Sequence, residues 1–350
     1  MADKQFDLFA EASQDVPVPE LKRAHQRRAD QAVLPVTPDE NAKNLALALP
    51  EGMRLGTSSW SFPGWSGSVY GGSYSDVQLA RHGLPAYAAQ PLFRTVGIDR
   101  TFYAPISESA FRAYARQARE VAPGFRFLVK APMLFTGPRL RSNEGRWTDN
   151  AAFLNASLAT AQFVLPATQG LGEACGPLVF QFPPLGPKFT LAPQQFADAL
   201  AEFLVALPKL AGPAFYAVEL RDPELLTDDY LAALCAGGAT HCIAIHARMP
   251  QANPQARFWR DADRLPLVIR WSLHSGMKYE QAKERYAPFN ALVDEDPEGR
   301  AQIAALALEA TRAGREAFII ANNKAEGSAP LTIRKLADLV RDYGETLVVL

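Results

Sequence analysis

The sequence predicts an α/β fold, a single (β/α)8 TIM-type barrel with an N-terminal extension. Three observations predict it. Eight short, apolar, β-prone runs alternate with segments of helical period, the pattern of βα units around a parallel sheet. No G-x-G-x-x-G follows the first run, as a dinucleotide-binding sheet would require. The chain has 350 residues, 48% of them hydrophobic, enough for one barrel with its core and a tail.

In order, residues 1–50 are charged, punctuated by Pro17, Pro19, Pro35 and Pro38, and without a sustained apolar period, so they read as a tail or wrapping arm. The barrel is expected over 51–345. Its strands are Arg54–Ser59, Arg94–Asp99, Phe125–Lys130, Pro177–Phe182, Phe215–Leu220, His241–His246, Pro266–Ser272 and Glu316–Asn322. Between the fourth and fifth, Phe196, Ala199, Leu200, Phe203, Leu204 and Leu207 fall on one helical face that would pack on the sheet. Gly314 sits where a C-cap would stop the helix before the eighth strand, and Ile333, Leu336, Val340 and Tyr343 mark a final helix. The segment 346–350 is apolar and β-prone, a ninth run expected as an edge strand or packed tail.

Composition excludes several classes. With 36 basic and 37 acidic side chains, net charge is −1, which gives no whole-chain case for gripping nucleic acid or an anionic membrane. Cys175, Cys235 and Cys242 form no C-x-x-C pair, so neither a disulfide scaffold nor a cysteine-rich zinc module fits. The N-terminus has no apolar stretch behind a basic start, and nowhere do roughly 18 apolar residues run uninterrupted. A cytoplasmic protein is expected.

Catalytic groups of such a barrel lie at the C-terminal ends of its strands. The runs finish on Ser59, Asp99, Lys130, Gln181, Glu219 with Arg221, His246, Arg270 with Ser272, and Asn322 with Asn323, a polar ring at one mouth of an apolar interior. Glu219 and Arg221 point to one face roughly 6.6 Å apart along the strand. A neighbouring guanidinium would keep Glu219 ionised, suiting a base or substrate anchor, unless the pair is a structural salt bridge at the rim. Asp99 is a second carboxylate. With Glu219 it raises a glycoside hydrolase as an alternative, although strands two and five stand far apart around the barrel.

Lys130, Arg221 and Arg270 outnumber these carboxylates, so a small anionic ligand is expected. After the last strand, Gly327 would let a ligand approach the backbone, and Ser328 would cap a helix whose free amides hold phosphate, unless this is an ordinary capped turn. His274 would share a face with Arg270 and Ser272 and could carry protons. Trp60 and Trp65 could stack on a base or sugar, or be buried loop anchors. His241 and His246 face oppositely and no paired-histidine motif occurs. No cofactor is expected, and a divalent metal stays open.

The blocks Leu55–Tyr70 (LGTSSWSFPGWSGSVY), Thr95–Tyr103 (TVGIDRTFY), Phe125–Lys130 (FRFLVK), Phe180–Pro184 (FQFPP), Ala217–Arg221 (AVELR) and Ile320–Gly327 (IANNKAEG) resemble, in order, those of the YecE-like family, domain of unknown function 72. The resemblance covers about residues 54–340. It implies a barrel of the same kind, with Lys130, Gln181, Glu219, Arg221, Arg270 and Asn322 at the family's polar positions. It implies no reaction. The chain departs from the pattern at Gly97, where the family has Glu, at Asp99, where it has Asn, and at Gly137 and Asp222, where it has His. Those losses would mean altered chemistry or a binding-only descendant.

The tail carries Gln5-Phe6-Asp7-Leu8-Phe9, which resembles the short Q-x-x-L-F peptide that docks proteins on the bacterial DNA sliding clamp, with Gln5, Leu8 and Phe9 as anchors. Two functions are therefore expected to compete. One is an enzyme, hydrolase- or lyase-like, acting on a small phosphorylated, nucleotide or sugar-like anion, with Glu219, Lys130, Arg221 and Asp99 catalytic and Arg270, Gln181, Asn322, Asn323, Tyr103, Trp60, Gly327, Ser328 and His274 binding. The other is a nucleic-acid-associated binding protein recruited through the peptide. Neither involves a membrane.

Overall fold

The structure, a computed structural model, describes residues 32–141, 145–262, 265–274 and 276–348. Its strands are β1 (Met53–Thr57), β2 (Thr95–Ile98), β3 (Arg126–Lys130), β4 (Arg139–Arg141), β5 (Trp147–Asp149), β6 (Cys175–Gln181), β7 (Phe215–Glu219), β8 (Ala239–Ile245), β9 (Leu267–Trp271) and β10 (Ala317–Ala321). β4 and β5 form a separate antiparallel pair, which the sequence did not announce. The other eight close a parallel barrel in the order β1-β10-β9-β8-β7-β6-β3-β2, and they coincide with the eight expected runs.

Period-2 alternation in the strands and period 3.6 in the helices divide the core in two. Leu128, Val179, Phe215, Ala217, Cys242, Val268, Phe318 and Ile320 form a small cluster of their own, the plug of the barrel interior. The opposite strand faces pack on the surrounding helices. The helix Pro193–Ala206 buries Phe196, Leu200, Phe203 and Leu204, as its spacing requires. Each such fully buried side chain contributes about 1.5–3 kcal/mol relative to exposure.

The helix Pro297–Arg312 ends in a left-handed turn at Gly314, φ +72°. There Arg315 N–H donates to Ala310 O at 2.9 Å and Gly314 N–H to Thr311 O at 3.1 Å. The last helix runs Ala329–Val348 and buries Ile333, Leu336 and Val340. Residues 346–348 continue this helix, so they are not the expected edge strand. The remaining two residues lie outside the described ones.

Of the N-terminal segment, residues from 32 onward are described. Pro35 bridges to Tyr70, Val33 and Leu45 are buried, and Asp39 caps the helix Glu40–Ala48 by accepting from Ala42 N–H at 2.7 Å. This stretch wraps the start of the barrel: the Arg94 guanidinium donates to Ala46 O at 2.6 Å and Pro50 O at 2.9 Å. No helix among the described residues is long and apolar enough to cross a membrane.

Candidate functional site at the barrel mouth

The interior face that carries the plug also carries the polar ring, because both share one strand parity. Leu128 is followed two residues on by Lys130, Val179 by Gln181, Ala217 by Glu219 and Val268 by Arg270. Glu219 is fully buried, and Lys130, Gln181, Arg221 and Arg270 are each less than a tenth exposed. The plug closes the barrel beneath them and keeps water from that side, so their charges act on one another through a poorly screening medium.

Arg270 holds the centre. Its Nη1 donates to Glu219 Oε2 at 2.6 Å and its Nη2 to Asp99 Oδ2 at 2.7 Å. Arg221 pairs with the other oxygen, Glu219 Oε1, so the expected strand neighbours do meet. Burial alone would raise the Glu219 carboxyl, but the guanidiniums of Arg221 and Arg270, aided by Lys130, outweigh it and hold the pKa at about 2. This changes the expected role: a carboxylate shared by two guanidiniums is a poor proton acceptor and a good positioning group. Asp99 and Glu219, on strands distant around the barrel, are joined across its interior by one side chain from a third strand.

Lys130 behaves differently. Both carboxylates are taken by arginine, whose planar fork matches them better than an ammonium does. Among the described residues Lys130 Nζ has no ion pair or hydrogen bond, and it lies 3.4 Å from the centroid of the Phe102 ring. Burial lowers its pKa to about 7; Asp99 and Glu219 pull it up, and Arg270 and Arg221 push it down. The Phe102 face favours the ammonium and restores part of the loss. Lys130, expected to be catalytic and to help hold the anion, is thus an amine that changes protonation near neutrality.

Four buried polar atoms of this network have no hydrogen-bond partner among the described residues: Arg221 Nη1, Arg270 Nε, Asp99 Oδ1 and Glu219 Oε1, the last of which keeps its ion pair with Arg221. The surroundings add His246, with a pKa of about 4 through burial and then Arg221, and Cys242, whose Sγ lies 3.9 Å from Glu219 Oε2. Tyr103, about half exposed, stands at the rim after β2. Asn322 donates from Nδ2 to Ser58 Oγ at 2.8 Å and is only half-buried, so it borders the mouth. His274 is half-buried there, its N–H donating to Lys324 O at 2.9 Å.

Other expected binding residues prove structural. Trp60 is buried with its ring 5.1 Å from that of Tyr114, and Trp65 is fully buried, so neither offers a stacking face. Asn323 is buried and its Oδ1 accepts from Trp65 Nε1 at 3.1 Å and from Ala329 N–H at 2.9 Å, tying the first loop to the last helix. Ser328 stands just before that helix but does not cap it through its hydroxyl, which is buried and has no hydrogen-bond partner among the described residues. Gly327 has φ +118°, and a Cβ there would lie 2.5 Å from Ala291 O. The close approach it permits is to protein backbone, not to a ligand. The loop is packed solid around Glu326, fully buried and bonded to Arg300 and to Asp296 N–H at 2.7 Å. The expected phosphate site after the eighth strand is therefore occupied by the chain itself.

Two departures from the family pattern have local causes. A Cβ at Gly97 would press on the Ser58 backbone at 3.1–3.3 Å. Asp222 is buried and accepts from Leu185 N–H at 2.6 Å, fixing the loop after β6. Among the described residues no three His, Cys, Asp or Glu side chains assemble to hold a metal ion. Gln5, Leu8 and Phe9 lie outside the described residues.

Sequence reasoning passed over Phe102, Tyr279 and Lys324. Lys324 is buried 4.3 Å from the Tyr279 ring centroid, with a pKa brought to about 8 by burial and Lys283. Phe102 stood in the T-F-Y block, where it reads as a packing aromatic. Nothing in the sequence marks Tyr279. A cleft of about 280 Å³ lined by Val164, Thr168, Glu173, Lys209 and Gly212 opens at the N-terminal ends of β6 and β7, away from this chemistry.

The sequence profile of a family described as protein of unknown function DUF72 matches residues 54–348. Among solved structures, a DUF72 family protein from Enterococcus faecalis superposes with a TM-score of 0.58 at 16% identity, over 82% of this chain and 96% of that one. A DUF72 family protein from Thermotoga maritima gives 0.49 at 17% identity, over 82% and 98%. No curated protein matches the sequence.

Proposed function

The chain belongs to the DUF72 family, and from that premise we propose that it is an enzyme, hydrolase- or lyase-like, acting on a small anionic substrate at the C-terminal mouth of its barrel. One observation carries this reading: Arg221, less than a tenth exposed, keeps a buried Nη1 without a partner in the same mouth as an unpaired lysine amine. An unsatisfied buried donor costs about 1–3 kcal/mol, more when charged. A carboxylate or phosphate oxygen would satisfy it with a charge-assisted bond. In this assignment Arg221 receives the anion, Arg270 and Glu219 fix the Arg221 fork, and Lys130 moves a proton. Gln181, Asn322 and Tyr103 orient the rest. The glycoside hydrolase alternative has less support, since it needs one carboxyl as a proton donor while Asp99 and Glu219 are both ion-paired to Arg270.

The test is ligand-dependent thermal stabilisation and turnover with phosphosugars, nucleotides, glycosides and small carboxylates. Arg221→Lys, which keeps charge but loses the fork, is expected to weaken anion affinity at least about tenfold, or 1.4 kcal/mol. Lys130→Met is expected to cost about 100-fold or more in turnover. Ligands that stabilise wild type and Arg221→Lys equally would sink the anion site. Stabilisation without turnover would leave a binding protein.

A further inference from the structure

The same mouth holds a lysine amine that has no ion pair among the described residues, although the site contains two carboxylates. We propose that Lys130 captures carbonyl carbon: its Nζ forms an imine with the aldehyde or keto group of a small substrate whose carboxylate or phosphate lies against Arg221. The inference rests on the proposed function and names its substrate class, an anionic aldehyde or ketone.

The geometry supplies what an amine nucleophile needs. Asp99 Oδ2 and Glu219 Oε2 are committed to Arg270, and Glu219 Oε1 to Arg221, so none of these oxygens pins Nζ as an ammonium. The amine rests on the Phe102 face, a platform that accepts no proton from it. Burial keeps water sparse around it, and its titration near neutrality leaves a large neutral fraction at physiological pH. The unpartnered Arg221 Nη1 supplies the anchor that would hold a carbonyl near the amine.

In the first step the nitrogen lone pair forms a C–N bond while the carbonyl π pair moves to oxygen. One proton passes from nitrogen to that oxygen, giving a carbinolamine. The C–O bond then breaks with a second proton, water leaves, and a protonated imine remains. Its positive charge replaces that of the ammonium in a place where Asp99 and Glu219 already favour a cation. Asp99 Oδ1, buried and without a partner, is an acceptor available to the protons in transit. Hydrolysis reverses every step, so no oxidant or reductant is needed.

The experiment traps the imine in the wild-type protein. Glyoxylate, an anionic aldehyde, is mixed with the full chain and sodium cyanoborohydride, whose hydride reduces the imine to a stable secondary amine, and labelled peptides are mapped by mass spectrometry. Lys130 is expected to be labelled at least about tenfold faster than the exposed Lys209 and Lys278. Excess inorganic phosphate should slow it, and Arg221→Lys should slow it about tenfold. Acetaldehyde, which lacks the anion, should show a preference for Lys130 at least severalfold smaller. Labelling of Lys130 at the rate of exposed lysines, or capture at Lys324 in its place, would overturn the inference. If trapping fails while anions still stabilise the protein in an Arg221-dependent way, the imine alone falls. If both fail, the anion site falls with it.

Discussion

The apolar plug of the barrel is capped by charge at both ends, from the same strand parity, and the two caps are built differently. At the N-terminal end Arg54 Nε donates to Glu316 Oε1 at 2.8 Å, and Arg126 Nη1 reaches Oε2 at 3.4 Å, beside solvent. None of these side chains has a buried polar atom lacking a partner. At the C-terminal end Glu219 is fully buried, yet among the described residues Arg221, Arg270, Asp99 and Glu219 each keep one buried atom without a hydrogen-bond partner. On β3 the contrast lies within five residues, Arg126 paired below Leu128 and Lys130 unpaired above it. The lower cap is a finished structure that contributes a little stability. The upper one is satisfied only in part, which is the feature on which the proposed anion site rests.

The largest test of this contrast is Glu219→Gln. It leaves two buried guanidiniums without their shared charge and is expected to lower the unfolding free energy by about 3–5 kcal/mol in urea titration. A loss below about 1 kcal/mol would mean that the upper cap is as solvated as the lower.

Lys130→Met gives the next effect, and it is read against pH. The folded pKa of about 7 lies below the ordinary 10.5, so between these values the unfolded chain binds the extra proton. Wild-type stability should therefore gain from this residue as pH rises from 7 toward 10.5, by about 1.4 kcal/mol per unit at most. The variant should lack that rise. Parallel stability curves would place the amine in water.

The smallest effect is expected from Glu316→Gln. Its ion pairs are partly exposed, so the loss should be about 1 kcal/mol or less and should shrink further in high salt. A cost matching that of Glu219→Gln would erase the distinction between the two ends.

Much of this was legible in the chain. Eight apolar runs located eight strands, and the polar residue that ends each run pointed to the mouth, because the pattern along a strand is a local property. The Glu219–Arg221 pair followed from the same rule. Roles were harder to read. Counting charges made Lys130 and Arg270 equivalent, whereas Arg270 spans two carboxylates from β2 and β7 and Lys130 touches neither. Gly327, Ser328 and Asn323 have the composition of an anion loop, yet backbone from 291–293, which no local pattern places there, fills the space.

By itself, then, the sequence determined the barrel, the parity of its strands and the charged strand-end residues that share one mouth, since these depend on periodicities of two and 3.6 residues. Tertiary structure alone decided which carboxylate each guanidinium takes, and hence which cation is left over. That choice depends on distances across the barrel between residues as far apart in sequence as Asp99 and Arg270, and on burial, which turns an ordinary lysine into an amine that titrates near neutrality.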